Sequence, residues 1–308
     1  MKIGVFSKYK TNHGRDRLYH CSPCKVRKLI KELHKICDFE SFFNNYDLKY
    51  DFAIIDRMSL KKKIDSKYIL SITECGFDMA QADVACSVSP YFRPKGNQFI
   101  LMNYCHGNRN VKIAPMSNRI QMTYLGRLSP LAEQKIKIMT SSGIGFGIYP
   151  IKYWQGKNIL RFNRGSHGFA ENIKFLQSKF PKSLILEPKS HNELYEELNY
   201  RRYFAGFVPS IYPLGDSRPQ KESSSKFFEY IGAGIPVLIE KNVPEAKIVA
   251  NNPFLGEVFS GKKEMILKGK RLRGRPYSNN KIAKYARDNH FPDARAQALF
   301  DNFLKERV

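Results

Sequence analysis

The stretch from residue 223 to residue 240, S-S-S-K-F-F-E-Y-I-G-A-G-I-P-V-L-I-E, constrains the fold more than any other part of the chain. Its serines can cap a helix start. About a turn and a half of helix follows, with Phe227, Phe228 and Ile231 on the apolar side. Gly232 and Gly234 end that helix, and Ile235 to Ile239 reads as a short buried strand. Lys226 and Glu229 stand three residues apart and so share a helix face. A helix N-terminus with free N–H groups, a lysine one turn in and a carboxylate just behind it suit a nucleotide diphosphate. The N–H groups and the lysine meet phosphate, and the carboxylate accepts the two ribose hydroxyls. The plain alternative is an ordinary helix–turn–strand unit with a salt-bridged surface face.

The rest of the chain repeats this alternation. Strands are expected at Lys2–Ser7, Asp51–Asp56, Tyr68–Thr73 and Ala82–Val88. A basic amphipathic helix is expected from Pro23 to Ile36, with Val26, Leu29, Ile30 and Leu33 at helical spacing. A second unit opens near Ile120. It has strands at Gln121–Leu125, Ile144–Ile148, Ser183–Glu187 and Tyr203–Pro209, and helices starting at Ser129-Pro130, Glu171 and Ser190. Glu193 completes a capping box with Ser190. A last helix spans about Lys281 to Glu306. Such alternation predicts parallel, doubly wound sheets. Gly-Ile-Gly-Phe-Gly at 143–147 is not a dinucleotide fingerprint, because it lies in a strand and lacks the G-x-G-x-x-G spacing.

The chain has 308 residues, room for two domains of ordinary size. No apolar run is long enough to span a membrane. The start M-K-I-G-V-F-S reads as a strand rather than a signal peptide, so a cytoplasmic location is expected, in a bacterial or virus-infected host cell. All six cysteines fall within the first 105 residues. Cys21-Ser-Pro-Cys24 is a lone C-x-x-C without a second pair, so reduced thiols are expected rather than a zinc site or a disulfide framework. Lys and Arg outnumber Asp and Glu by 52 to 28, a net charge of +24. An excess this large points to a polyanionic partner, nucleic acid or an anionic membrane surface; a generally basic proteome is the bland alternative. Two stretches concentrate the charge. Residues 2–35 hold ten Lys/Arg against two acids, and residues 262–275, K-K-E-M-I-L-K-G-K-R-L-R-G-R, hold seven against one. Lys270, Arg271, Arg273 and Arg275 are candidate nucleic-acid contacts on a basic loop. Arg273-Gly274-Arg275-Pro276 matches the core of a minor-groove AT-hook.

The residues K-F-F-E-Y-I-G-A-G-I-P-V also carry a resemblance. They resemble the sugar-nucleotide signature in the C-terminal domain of GT-B glycosyltransferases, most specifically at Lys226, Glu229, Gly234, Pro236 and Val237. The segment order through residues 120–308 is similar as well. The resemblance implies an α/β chain of GT-B type, with two Rossmann-like doubly wound domains facing a central cleft. Residues 1–118 would form the acceptor side, 119–280 would bind the nucleotide sugar, and 281–308 would return to the first domain. The donor would be a nucleotide-diphosphate sugar such as a UDP-sugar; no cofactor would be required, a divalent metal would be optional, and a monomer is expected.

Donor-binding candidates sit where strands end: Gly126, Arg127, Asp216, Arg218, Ser224, Ser225, Lys226 and Glu229. Glu74 ends the strand S-K-Y-I-L-S-I-T-E, where a carboxylate can take a proton from an acceptor hydroxyl. That strand and the Lys226–Glu229 helix distantly resemble those of bacteriophage DNA β-glucosyltransferases, which implies Glu74 as catalytic base and a hydroxylated base in duplex DNA as acceptor. Asp78 and Asp16 are the next candidates for the base. The alternatives are a glycan, glycolipid or glycoprotein acceptor, or a non-catalytic nucleic-acid-binding protein on the same scaffold.

Overall fold

The computed structural model describes residues 1–7, 22–56, 63–73, 82–89, 93–101, 105, 107–113, 121–155, 158–162, 168–210 and 224–307. Two sheets organise them. The first comprises β1 (Lys2–Ser7), then after α1 (Ser22–Leu33) β2 (Glu40–Phe43), β3 (Tyr50–Asp56), β4 (Ser66–Thr73), β5 (Val84–Ser87) and β6 (Gln98–Ile100). All six are parallel, in the order β2-β1-β3-β4-β5-β6. Alternate residues serve opposite faces. Ile3, Val5, Phe52 and Ile54 join one buried cluster with Leu29, Ile30 and Leu33 of α1, while Phe6, Ala53 and Ile55 join another. Burial on both faces is what makes these strands near-continuous apolar runs.

The second sheet starts with β7 (Gln121–Leu128). It continues through α2 (Pro130–Ser141), β8 (Gly145–Gln155), β9 (Asn158–Arg161), α3 (Phe169–Lys179), β10 (Ser183–Ile185), α4 (His191–Arg201), β11 (Ala205–Val208), α5 (Ser225–Gly232), β12 (Val237–Glu240), α6 (Ala246–Asn251) and β13 (Gly256–Phe259). Its order is β10-β8-β7-β11-β12-β13, parallel throughout, with β9 turning back antiparallel on β8. Three α-helices follow, α7 (Gly261–Gly274), α8 (Asn279–His290) and α9 (Pro292–Leu299), and α9 runs on into a π-helical turn at Phe300–Leu304. Ala296 and Leu299 of α9, with Phe303 and Leu304 beyond it, pack into the first sheet's core beside Ile3 and Leu33.

Local chemistry accounts for most boundaries. Ser129 caps α2 through its side chain, with Pro130 in the first turn, and the capping box at Ser190 and Glu193 is formed as expected. α5 ends in a Schellman turn: Gly234 N donates to Ile231 O at 3.0 Å and Ile235 N to Tyr230 O at 2.9 Å. Gly234 has φ +71°, and a Cβ there would lie 2.8 Å from the Asn279 carbonyl, so glycine is required.

Three expectations are corrected. The basic segment 262–275 is a helix, α7, through Gly274, rather than a loop. Met265, Gly269 and Leu272 are buried at helical spacing and outweigh the R-G-R-P motif, so the extended form of an AT-hook is not adopted. The single final helix breaks into α8 and α9 because Pro292 cannot continue it; Phe291 before it is extended, at ψ 166°. β8 runs on to Gln155, seven residues past the expected end, because β9 pairs with its extension.

Candidate functional site

The second sheet reverses its winding between β7 and β11. The chain passes from β7 outward to β8 and β10, then returns to β11 on the other side of β7 and continues to β12 and β13. Ligands in open α/β sheets bind beyond the carboxyl ends of the strands at such a reversal. Here the two strands also part. β11 pairs with β7 only at Ala205–Met122 and Gly206–Thr123. Past that point Tyr230 of α5 stands in for the strand neighbour. Its hydroxyl accepts from Leu125 N at 2.9 Å and donates to Thr123 O at 3.1 Å. Gly206 makes room for it, since a Cβ there would lie 2.3 Å from the Tyr230 ring. The result is a crevice between the carboxyl ends of β7 and β11, held open by one tyrosine.

Lys226 lies one turn before Tyr230, on the same face of α5, and so points to the same crevice. Its ammonium is 5.3 Å from the centroid of the Tyr124 ring, and only 8% of the residue is exposed. Burial, reinforced by the Arg127 guanidinium, pushes Lys226 down to about 8, with Glu245 pulling the other way. Arg127 is exposed at the end of β7, where a bulge between Gly126 and Arg127 shifts the register and Gly126 takes φ +105°. Tyr124 secures this bulge by donating its hydroxyl hydrogen to the Arg127 carbonyl. Ser224 occupies the N-cap position of α5, but its hydroxyl makes no cap bond, contrary to expectation. The crevice therefore gathers two cations and an N-terminal helix turn that no side chain of the cap residue closes.

Glu229 departs from expectation. It is fully buried and turns toward α4 and the segment around residue 105, away from the Lys226 side of the helix. Cys105 donates its thiol hydrogen to Phe228 O at 3.1 Å, and Tyr195 packs against Gly107 and Gly232 so closely that neither could carry a Cβ. Lost solvation pushes both the Cys105 thiol and the Tyr195 hydroxyl up, and the nearby Glu229 adds to each. Arg295 closes the far side of this region through a hydrogen bond with His290, whose ring is held down to about 3 by burial and by the Arg295 charge.

Two further carboxylates belong to the site's frame and were not singled out from the sequence. Glu240, the last residue of β12, accepts from Ser210 N at 2.7 Å and from Lys135 Nζ at 2.5 Å. Glu245, just before α6, accepts from Ser224 N at 3.0 Å. Both lie in I-E-K-N-V-P-E; an acid at a strand's carboxyl end was the only signal available.

Glu74, Asp78, Asp16, Asp216 and Arg218 lie outside the described residues, as does Cys21 of the C-x-x-C. Lys270, Arg271 and Arg273 are exposed on α7 and Arg275 just beyond it. Arg271 and Arg275 each lie 3.5 Å from Glu257, while Arg273 donates to Gly143 O at 3.2 Å, so part of this charge is neutralised or tied down. Among the described residues, no group of three His, Cys, Asp or Glu side chains could hold a metal, and no helix is long and apolar enough to cross a membrane.

No protein-family profile and no curated protein sequence matches the chain. Solved structures do. AviGT4, a glycosyltransferase involved in avilamycin A biosynthesis, superposes with a TM-score of 0.67 at 11% identity, over 99% of this chain and 98% of that one. T4 phage BGT in complex with UDP and Mn2+ gives 0.52 at 11% identity, over 98% and 99%. UDP-GlcNAc 2-epimerase from Neisseria meningitidis bound to UDP-GlcNAc gives 0.51 at 11% identity, over 99% and 100%. At these identities the likeness is one of fold, and with two parallel sheets spanning the same length the chain has the GT-B fold of these glycosyltransferases and epimerases.

Proposed function

We propose that the protein is a glycosyltransferase that moves a sugar from a nucleotide-diphosphate sugar, a UDP-sugar, to an acceptor hydroxyl. The observation that carries this reading is the buried Lys226 at the β7–β11 crevice, beside Arg127 and the first turn of α5. A lysine is costly to bury without an anion, and a diphosphate supplies one. The acceptor oxygen attacks the anomeric carbon, the anomeric carbon–phosphate oxygen bond breaks, and the diphosphate leaves with the bonding electrons. Lys226, Arg127 and the α5 amides stabilise the charge that grows on it. Glu74 takes the acceptor proton in an inverting reaction. Asp216 and Arg218 border the donor sugar, Ser224 and Ser225 present their amides to phosphate, and no metal is required.

Glu229 is read as the ribose ligand, reached when the nucleotide displaces its packing against Tyr195. Calorimetry with UDP and with inorganic pyrophosphate tests both the site and this role. UDP should bind the native protein, and Glu229→Gln should weaken UDP by roughly 10–10²-fold, the scale of a lost charge-assisted pair, while pyrophosphate is unaffected. A native protein that binds neither would remove the diphosphate reading. Because two epimerase folds are similar, incubation with UDP-GlcNAc alone is informative: conversion of the sugar without acceptor would make the protein an epimerase.

For the acceptor we propose a hydroxylated base in duplex DNA, supported by the +24 charge and by the exposed cations of α7, Lys262, Lys263, Lys270 and Arg273. Log affinity for duplex should fall linearly with log salt. Neutralising Lys270, Arg271, Arg273 and Arg275 should flatten the slope without changing UDP affinity. Indifference to duplex at low salt, with transfer to a saccharide, would move the acceptor to the glycan class.

A further inference from the structure

The parallel strands of the second sheet all start on one edge, opposite the edge that forms the crevice. That amino edge collects cations from distant parts of the chain. Arg273, in the last turn of α7, donates to Gly143 O at 3.2 Å, just before β8. Two residues on, Gly145 opens β8. A Cβ there would lie 3.4 Å from Cγ of Gln121, the first residue of β7, and 3.8 Å from the carbonyl oxygen of Lys182, just before β10. The Gln121 carbonyl accepts from Phe204 N at 3.0 Å, two residues after Arg202. One rim therefore runs from Arg273 through Gly143 and Gly145 to Lys182 on one side and Arg202 on the other, and all three cations are exposed. Arg271 and Arg275 extend it. Glu257, at the start of β13, lies 3.5 Å from each, so one carboxylate faces two guanidinium groups. Arg201 is paired with Glu197 at 2.7 Å and adds no net charge.

Taking the class of partner from the nucleic-acid reading of the acceptor, we infer that this rim is a docking surface for the phosphate backbone of a duplex, separate from the crevice where the sugar is transferred. Strand β7 runs from Gln121 on the rim to Arg127 and Leu128 at the crevice, about 20 Å at ~3.3 Å per residue. A duplex gripped at the rim is held about six base-pair steps from the reacting hydroxyl. The grip needs neither the donor nor a hydroxylated base. Along the edge, β10 to β13 span five strand spacings, about 24 Å at ~4.8 Å each. The sheet thus fixes these charges at separations of several phosphates, as a regular backbone requires. The arginines of R-G-R-P take part from the end of a helix instead of an extended hook. An anionic membrane would meet the same charge, yet binding at a lipid interface also buries apolar side chains. Near the rim, the exposed large hydrophobic residues are Tyr200 and Leu184. Tyr200 carries a hydroxyl that suits phosphate, and a single leucine is too little to insert.

Fluorescence anisotropy with an unmodified duplex of about 20 base pairs, over a salt series and without UDP, tests the inference. Lys182→Gln/Arg202→Gln changes two residues that lie outside α7. It should lower the slope of log affinity against log salt by about one to two, and leave UDP affinity native. Lys182→Arg/Arg202→Lys keeps both charges and should keep the native slope. Lys49→Gln/Lys95→Gln removes the same charge from exposed positions before β3 and β6 of the first sheet, and should lower the slope by clearly less. A native slope in folded Lys182→Gln/Arg202→Gln overturns the inference. So does an equal fall in the first-sheet variant, which would reduce the effect to bulk charge. If the double variant does not fold, Lys182→Gln alone carries the test, with a fall of about one expected and a native slope overturning. Native protein that binds phosphatidylserine vesicles at a salt concentration where it ignores duplex makes the rim a membrane surface, and the inference falls. The acceptor reading fails separately: the expected slopes without sugar transfer to a hydroxylated base would keep the docking surface and remove that acceptor.

Discussion

Lys226→Met should cost UDP affinity roughly 10²-fold and at the same time make the free protein more stable. The affinity loss follows if the buried, desolvated charge meets the diphosphate as proposed, and turnover should fall further because leaving-group charge is greatest in the transition state. The stability gain follows from linkage. Lys226 is held down to about 8 in the folded chain, against 10.5 when unfolded. Between those values the unfolded state binds more protons, so native stability rises with pH across that window. At pH 7 the buried ammonium costs on the order of 3 kcal/mol, which methionine avoids while keeping the apolar stem over Tyr124. Urea unfolding should therefore find the variant more stable at pH 7, with the gap closing toward pH 10.5. Equal stabilities at pH 7 together with unchanged UDP binding would place the lysine outside the site.

Glu74→Gln should keep UDP affinity and lose transfer by about 10²–10⁴-fold, the range for a missing general base. In sequence the residue directly follows Thr73, the last of β4, and β4 is a central strand of the first sheet. Ligand-facing groups collect at the carboxyl ends of strands in open parallel sheets. The kinetics should split cleanly, with donor KM unchanged and kcat reduced, because glutamine keeps the shape and removes only the proton acceptor. Near-native turnover would shift the role to Asp78 or Asp16, or show that the reaction is retaining and uses no such base.

Much of this arrangement was legible in residue order alone. Strand and helix alternation, the capping box at Ser190, the proline at the start of α2 and the glycine turn after α5 are local signals, each set by backbone sterics or a single hydrogen bond. They suffice for two doubly wound sheets and for placing Lys226 in the first turn of a helix after a strand. Where local signals competed, the sequence reading failed. Residues 262–275 look like a basic loop until Met139 and Ile144 are found beneath Gly269, showing that α7 packs where Met265, Gly269 and Leu272 face the sheet. β2, β6 and β13 are too short to announce themselves; they exist because a parallel neighbour offers its edge.

The division runs through α5 itself. Sequence determined that Lys226 and Glu229 ride one short helix, three residues apart. Only the tertiary structure decided that they serve different neighbours. β7 and β11 stop pairing past Thr123, and the Lys226–Tyr230 side of the helix faces the gap between them. The packing of Tyr195 against Gly107 and Gly232 seals the Glu229 side. Spacing along a helix specifies direction to within a fraction of a turn, whereas burial and charge depend on which elements arrive from distant parts of the chain. That is why Glu240 and Glu245, ordinary acids in the sequence, become acceptors for the Ser210 and Ser224 amides only when β12 is laid beside β11.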